Sequence, residues 1–233
     1  MGSRWVEWIK LALIQKGGSV SSLYKKAPKG ALVMLTKFPF RGEVKTRLAA
    51  DIGQAKAAAL SWAFVQDTIL KLKNIQVPIH INLAMNKPPG VIKTFQSIEI
   101  IDQGEGDLGA RLSNISQGLL KKHPWVLLIG SDAPHIPTRI YEEAIEHMNR
   151  GHDALGPSTD GGYYIQGLHA CPDDFFLNIP WSCKDTCQAM KSKYEDLSSR
   201  PLIILPEHFD IDYMKDLEKI KEDLLLIHTQ KII

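Results

Sequence analysis

From residue 31 onwards, two patterns of hydrophobic and polar positions alternate along the chain. Short, continuously apolar runs of strand length occur at 31–37, 77–84, 98–101, 125–130 and 202–205. Between these runs the apolar residues recur at helical spacing. The predicted helices cover 53–72, 108–121, 138–149, 172–177, 183–193 and a last segment from about Met214.

This alternation predicts an α/β fold in which helices cover both faces of a mostly parallel sheet. Two further segments, 153–158 and 161–168, have strand character and are joined by a tight turn. They add at least one antiparallel strand, so we expect a mixed sheet. The run WVLLIG at 125–130 is the most apolar of all, which predicts a central strand buried on both sides.

The N-terminal region has a different composition. Apolar residues at helical spacing predict an amphipathic helix over 4–15, and the Gly-, Ser- and Lys-rich stretch at 17–30 is typical of a linker. We therefore expect residues 1–29 to form an appendage and residues 30–233 to form one domain. The appendage would dock on the domain, on another copy or on a partner.

Composition excludes several classes of function. The 28 Lys and Arg nearly balance the 26 Asp and Glu, so a nucleic-acid partner is not expected. No apolar run approaches the ~20 residues of a membrane span, and no secretory signal is recognisable. The three cysteines form no CxxC pair, which favours a reducing compartment and a cytoplasmic protein. The absence of HExxH and GxSxG motifs gives no support to zinc sites or hydrolase triads.

Ligands of α/β sheets bind beyond the carboxyl ends of the strands. The loop after the first strand carries four cations, Lys37, Arg41, Lys45 and Arg47, and bends at Gly42. Such a loop is suited to hold a polyphosphate, with lysine as a point charge and arginine as a fork. It lacks the Walker A pattern, and the alternative is a solvated basic loop.

The loop after the third strand is glycine-rich. Residues 103–111 (QGEGDLGAR) match the GxGxxG pattern of dinucleotide-binding loops. However, Glu105 and Asp107 would face a pyrophosphate. We therefore favour a backbone-lined slot for a nucleobase, in which Gln103 supplies paired amide hydrogen bonds, with a dinucleotide site as the alternative.

Aspartates follow the later strands. Asp132 comes directly after the most apolar strand, where a hard carboxylate beside a phosphate loop suits Mg²⁺. Asp160 precedes Gly161 and Gly162, which would form either a simple hairpin turn or a close approach to a ligand. Asp210 and Asp212 precede the last helix, where one would cap the helix and the other would be a second metal carboxylate.

Five motifs stand in a characteristic order, and together they resemble one family. They are K-x-P-x-x-G-x-V-K-T-R-L (37–48), Q-G-x-G-D-L-G-x-R-L (103–112), G-S-D-x-P (130–134), G-P-x-x-D-G-G-Y-Y (156–164) and D-I-D-x-x-x-D-L (210–217). The family is DUF2064, also called radical-SAM/selenodomain-associated transferase 1. It is similar to the nucleotide-diphospho-sugar transferase superfamily, which has a GT-A fold and includes molybdenum cofactor and phospholactate guanylyltransferases.

The resemblance covers residues 31–220 and implies a three-layer GT-A-like (Rossmann-like) fold. It also implies that Lys45, Arg47 and Asp132 are catalytic, and that Asp132 with Asp212 (or Asp210) binds Mg²⁺ or Mn²⁺. The implied nucleotide- and phosphate-binding residues are Lys37, Gly42, Lys45, Arg47, Gln103, Gly109, Arg111 and Ser131. The implied acceptor-binding residues are Asp160, Gly161, Gly162 and Tyr163. The chain departs from the family at Cys183 and Tyr213, where Thr is usual.

These observations predict a Mg²⁺-dependent transferase that uses a nucleoside triphosphate or a nucleotide sugar and a small-molecule acceptor. The cations of the first loop favour nucleotidyl transfer, whereas the family label of glycosyltransferase favours sugar transfer. The alternative is an inactive nucleotide-binding regulatory or partner module.

Overall fold

The computed structural model describes residues 29–38, 44–75, 77, 79–86, 98–221 and 227–232. The predicted helix over 4–15, almost all of the linker, and Gly42 of the basic loop lie outside the described residues. The predictions made for them stay predictions.

The described strands and helices follow the predicted order. The strands are β1 (Ala31–Lys37), β2 (His80–Asn86), β3 (Glu99–Asp102), β4 (Val126–Gly130), β5 (Asp153–Pro157), β6 (Tyr163–Leu168) and β7 (Leu202–Ile204). The helices are α1 (Thr46–Ile52), α2 (Gln54–Lys73), α3 (Leu108–Leu120), α4 (Thr138–Asn149), α5 (Thr186–Leu197), α6 (Met214–Lys219) and α7 (Ile227–Gln230).

The strands form one seven-stranded sheet in the order β3-β2-β1-β4-β6-β5-β7. β1, β2, β3 and β4 are parallel to one another, β7 is parallel to β5, and β6 is antiparallel to both β4 and β5. The predicted mixed, mostly parallel sheet is therefore confirmed, and β4 lies in its middle as its apolar sequence predicts. Because β6 is reversed, the turn between β5 and β6 lies at the same edge as the carboxyl ends of β1 and β4.

Helices cover both faces of the sheet. On one face, α2 and α4 pack on Leu32 and Leu127, and on the other, α3 and α5 pack on Val33 and Leu128. Adjacent strand residues point to opposite faces, so the continuously apolar runs of β1 and β4 supply both cores. The three layers predicted from the sequence are thus present.

A third, smaller core lies beneath the loops at the carboxyl edge. It joins α1, α2 and α6 through Leu48, Phe64 and Leu217, and it buries Ile211 completely. This cluster connects the end of the basic loop to the acidic segment 210–212.

One predicted helix is wrong. Residues 172–177 form turns, in which the Phe175 N–H donates to the Pro172 carbonyl and the Leu177 N–H donates to the Asp174 carbonyl. Asn178 then adopts the left-handed conformation with φ 59°, which ends any helical path. The second strand runs over His80–Asn86 rather than 77–84, and α1 forms a separate helix ahead of α2.

None of the helices in the described part of the chain is long and apolar enough to cross a lipid bilayer.

Candidate active site

A cleft of about 730 Å³ opens at the carboxyl edge of the sheet, beside the ends of β1 and β4. Most of the nucleotide-binding residues expected from the sequence line it. These are Lys37, Lys45, Arg47, Gln103, Arg111 and Ser131, and the two expected metal ligands Asp132 and Asp212 line it as well. The structure therefore brings together side chains from four separate motifs.

Lys45 is the central residue of this cleft. Its Nζ lies 2.7 Å from Oδ1 of Asp132 and 3.1 Å from Oδ1 of Asp212, and its side chain is only 4% exposed. Its backbone has φ 48°, a left-handed conformation that is uncommon for a residue with a side chain. Such strained positions cluster at functional sites.

The charge of Lys45 is stabilised by its surroundings. Burial alone would lower the pKa of Lys45, but the carboxylates of Asp132 and Asp212 raise it above its ordinary value of 10.5. The side chain is therefore an ammonium ion at neutral pH.

Arg47 contacts the same acidic segment from the outside. Its guanidinium lies 2.8 Å from Oδ2 of Asp212 and 5.6 Å from the centre of the Tyr213 ring, and its side chain is 61% exposed. An ion pair this exposed adds little to stability. Arg47 therefore remains accessible to an anionic ligand in the cleft.

The acidic residues owe their positions to a short network of backbone contacts. The Ile211 N–H donates to the Asp132 carbonyl at 3.0 Å, which joins the end of β4 to the segment 210–212. Ile211 points into the third core, whereas Asp212 lines the cleft and Asp210 lines a second cavity beside it. The cap of α6 is supplied by Asp216, which accepts from the Tyr213 N–H. Neither Asp210 nor Asp212 supplies that side-chain cap, which removes the capping alternative for them.

The pKa of Asp210 reflects the concentration of negative charge around the segment 210–212. Burial, together with the nearby carboxylates of Asp132, Asp160 and Asp212, raises its pKa to about 7 despite the opposing effect of Lys45. Four carboxylates therefore lie near one another at this edge of the sheet.

The donor set fits a hard divalent cation. Carboxylate oxygens are the ligands that Mg²⁺ and Mn²⁺ prefer, and Mg²⁺ commonly uses one or two of them together with substrate phosphates. Within the described residues, no group of three or more His, Cys, Asp or Glu side chains is arranged to hold a metal ion by itself. A cation at this site would accordingly depend on oxygens from a substrate.

A second cavity of about 520 Å³ adjoins the first. Asp132, Asp212 and Arg47 line both cavities and mark the boundary between them. Apolar residues of β1, β4 and α3 form part of the wall of the second cavity. Its other lining residues include Asp160, Gly162, Tyr163, Trp181, Cys183, Lys184 and Asp210. Three of the four residues expected to bind an acceptor therefore face this space.

The fourth, Gly161, has a packing role. It adopts φ +89°, and a Cβ atom there would lie 2.2 Å from the backbone oxygen of Lys184. Its carbonyl accepts from the Cys187 N–H at 2.8 Å. Gly161 thus holds the β5–β6 turn against the loop 181–185, while Asp160 accepts from the Gly162 N–H and shapes the turn.

Residues of the glycine-rich loop are also used differently from the expectation. Gln103 is buried, and its Nε2 donates to the carbonyls of Thr36 and Ala84 at 2.9 Å each, so both amide hydrogens join β1 to β2. Paired amide bonds to a nucleobase would require these contacts to break, which leaves the carbonyl oxygen for such a role. Gly109 allows α3 to approach the Phe176 backbone, since a Cβ there would lie 2.9 Å from its oxygen.

Sequence reasoning missed the wall formed by residues 181–184. Cys183 is noted in the sequence only as a departure from the family, and neither Trp181 nor Lys184 is assigned a role there. A weak signal exists, because Pro180 and the left-handed Ser182 (φ 59°) mark a constrained loop. That conformation is not readable from the sequence.

Residues 65–183 match the family model described as "uncharacterized protein conserved in bacteria (DUF2064)". No functionally curated protein matches the chain. A protein of Desulfovibrio desulfuricans G20, provisionally assigned as a nucleotide-diphospho-sugar transferase, has a similar structure. The TM-score is 0.76 at 26% identity, over 88% of this chain and 95% of that one.

Two more distant structures share the fold. A cytidylyltransferase of Leptospira borgpetersenii serovar Hardjo-bovis has a TM-score of 0.52 at 11% identity, over 87% of this chain and 90% of its own. A 4-diphosphocytidyl-2C-methyl-D-erythritol synthase has a TM-score of 0.54 at 12% identity, over 86% of this chain and 99% of its own. The chain therefore shares its three-layer fold with these proteins.

Proposed function

Since the chain belongs to the DUF2064 family, we propose that it is a Mg²⁺- or Mn²⁺-dependent transferase that moves a group from a nucleoside triphosphate or nucleotide sugar to a small-molecule acceptor. One observation carries this proposal. Lys45, Arg47, Asp132 and Asp212 converge where two adjoining cavities meet. Cations and carboxylates at one boundary are what phosphate chemistry between two substrates requires.

The two cavities suit two substrates. Their volumes, about 730 and 520 Å³, lie within the ~300–1,000 Å³ common for ligand sites. The larger one carries Lys37, Arg111 and the glycine-rich loop and would hold the nucleotide. The smaller one carries Asp160, Tyr163 and Trp181 and would hold the acceptor.

The residues at the boundary between the two cavities would have two different roles, phosphate binding and cation binding. Lys45 and Arg47 would bind the phosphate chain and neutralise the charge that grows on the leaving phosphate oxygens. Asp132 and Asp212, with Asp210 as an alternative, would hold the divalent cation. When bound, such a cation stabilises negative charge on phosphate oxygens. Ser131, whose hydroxyl donates to Thr36 Oγ1, would keep the end of β4 in place beside the phosphates.

Two versions of the transfer remain, and each has an observation in its favour. In nucleotidyl transfer, an acceptor oxygen bonds to the α-phosphorus and pyrophosphate leaves, which places most charge beside Lys45 and Arg47. In sugar transfer, the acceptor bonds to the anomeric carbon and a nucleoside diphosphate leaves. The two cations, Lys45 and Arg47, favour nucleotidyl transfer, and the assignment of the Desulfovibrio desulfuricans protein favours sugar transfer.

A thermal-shift screen of nucleoside triphosphates and nucleotide sugars, each with and without Mg²⁺, tests the donor class. A ligand at a hundred times its Kd should add about 2.7 kcal/mol to the free energy of unfolding. Assays for pyrophosphate and for nucleoside diphosphate then identify the leaving group. A screen without any Mg²⁺-dependent shift would contradict the proposal, and binding without turnover across acceptors would favour a regulatory module.

Replacing both Lys45 and Arg47 with alanine is expected to weaken nucleotide binding by about 2 kcal/mol. This corresponds to roughly a thirtyfold rise in Kd. Most of this loss should come from the buried Lys45, because the exposed Arg47 contributes little. The remaining affinity should depend less steeply on salt concentration than in the wild type. Isothermal titration at several salt concentrations measures both effects.

The matched control removes two exposed lysines of α2, Lys56 and Lys73, and changes the net charge equally. Its Kd should stay within twofold of the wild type, because screening weakens distant surface charges. Equal effects in the two double variants would mean that the basic loop is only a solvated surface.

A further inference from the structure

The Lys45 ammonium lies between the two carboxylates that the proposed function assigns to a divalent cation. It contacts Oδ1 of Asp132 at 2.7 Å and Oδ1 of Asp212 at 3.1 Å. These are the distances of charge-assisted hydrogen bonds, so the amine already uses one oxygen of each carboxylate. A cation shared by the same two oxygens would need the space that Nζ fills.

The surrounding structure holds Lys45 in that position. Its side chain is 4% exposed, its Nζ lies 6.0 Å from the centre of the Phe64 ring, and its carbonyl begins α1 by accepting from the Ala49 N–H. The carboxylates are more open, since the side chain of Asp132 is 51% exposed and that of Asp212 is 30% exposed. The ligands therefore face the cleft, whereas the amine closes the space between them from inside.

Arg47 is not placed to act in the same way. Of the two aspartates it contacts Asp212 alone, through Oδ2, and most of its side chain is in solvent. Removing its charge would leave Lys45 between the two aspartates. The chain thus offers two cations beside one carboxylate, and only one of them bridges the site.

Building on the proposed function, we propose that Lys45 is a resident counter-ion that excludes the divalent cation until a polyphosphate arrives, so that the cation and the phosphate chain bind together. A polyphosphate offers the ammonium a new anionic partner within reach of its flexible four-carbon chain. The aspartates released in this exchange then bind the incoming cation. Every charged group has a partner before and after the exchange. Binding of the cation alone would leave the Lys45 ammonium without a partner, so the exchange is favourable only when the cation and the polyphosphate bind together.

This exchange predicts linked binding. If the phosphate chain raises the affinity for the cation, the cation must raise the affinity for the phosphate chain by the same factor. Mn²⁺ alone should bind weakly to the wild-type protein, and inorganic triphosphate with Mn²⁺ should stabilise it by more than the sum of the two alone. In Lys45→Met the repulsion between ammonium and cation is gone, so Mn²⁺ alone should bind at least about tenfold more tightly.

The experiment measures free Mn²⁺ by electron paramagnetic resonance during titration of the wild type, Lys45→Met, Lys45→Gln and Arg47→Met, without nucleotide. Both Lys45 variants should gain affinity. Arg47→Met, which removes the same charge beside the same aspartate, should change the Kd less than about threefold. Adding Asp132→Asn to Lys45→Met should abolish the gain. Circular dichroism confirms folding, and the glutamine variant keeps a polar side chain in case methionine is poorly tolerated.

Thermal shifts with Mn²⁺, triphosphate and both provide the second measurement. If the wild type binds Mn²⁺ alone as tightly as the two Lys45 variants, Lys45 does not exclude the cation and the inference is wrong, while the transferase proposal stands. If Mn²⁺ and triphosphate together leave the wild type unshifted, the phosphate site itself is absent and both proposals are wrong.

Discussion

Replacing Asp132 with asparagine is expected to lower transferase activity by on the order of a hundredfold or more while the protein stays folded. Asn keeps the shape of the side chain but removes the charge that would hold the divalent cation. The fold should tolerate this, because Asp132 is half-exposed and Lys45 keeps its contact with Asp212. Release of pyrophosphate or nucleoside diphosphate measures the activity, and circular dichroism measures the folding.

The matched control is Asp196→Asn, which makes the same chemical change at an exposed position of α5, away from the cleft. It should keep its activity and its Mg²⁺-dependent thermal shift with nucleotide, while Asp132→Asn should lose that shift. If Asp132→Asn unfolds the protein or keeps the metal-dependent shift, Asp132 is a structural residue and the assignment of the site is wrong.

Replacing Gly161 with alanine is expected to lower the free energy of unfolding by about 3 kcal/mol or more. Part of this loss is the cost of φ +89° for a residue with a Cβ atom, and the rest is the collision of that atom with the Lys184 backbone at 2.2–2.5 Å. Backbone atoms have no rotamer by which to move away. For a chain of this size, such a loss should lower the Tm by roughly 6–12 °C.

Gly53→Ala separates these two contributions. Gly53 has a similar φ of +84°, but no heavy atom lies within 4 Å of a Cβ built there. Its replacement should therefore cost only the backbone strain of φ 84° and ψ 151°, about 1–3 kcal/mol, without the added collision. Equal losses of Tm in the two variants would show that the loop 181–185 moves aside freely and does not depend on the contact with Gly161.

Most of the fold can be predicted from the sequence, because the strands and helices are marked by hydrophobic patterns within short segments of the chain. Continuous apolar runs identify β1 and β4 as strands buried on both faces, and the short turn after β5 requires an antiparallel partner. The turns at 172–177 escape prediction because the apolar Phe175 and Phe176 have helical spacing to their neighbours but sit between prolines. Whether so short a segment closes into a helix depends on its tertiary contacts.

The residues of the candidate site can be predicted from the sequence, but the contacts between their side chains cannot. Lys45, Asp132 and Asp212 are readable because each follows a strand or precedes a helix at the carboxyl edge. That Lys45 bridges the two aspartates depends on its left-handed backbone and on the third core, which join segments 167 residues apart. Gln103 shows the converse, since its polar side chain suggests a ligand but its amide hydrogens join two strands.

The single reversed strand has a consequence for how substrate choice could be altered. Asp160, Gly162 and Tyr163, at the β5–β6 turn, line only the smaller cavity, whereas Lys37, Lys45, Gln103 and Arg111 line only the larger one. Residues at the tip of a hairpin turn can be replaced without disturbing the hydrogen bonds between β5 and β6, provided that Gly161 is kept in contact with the Lys184 backbone. Grafting different residues at 159–160 and 162 would thus change the contacts of one substrate while leaving in place the side chains that line only the other cavity.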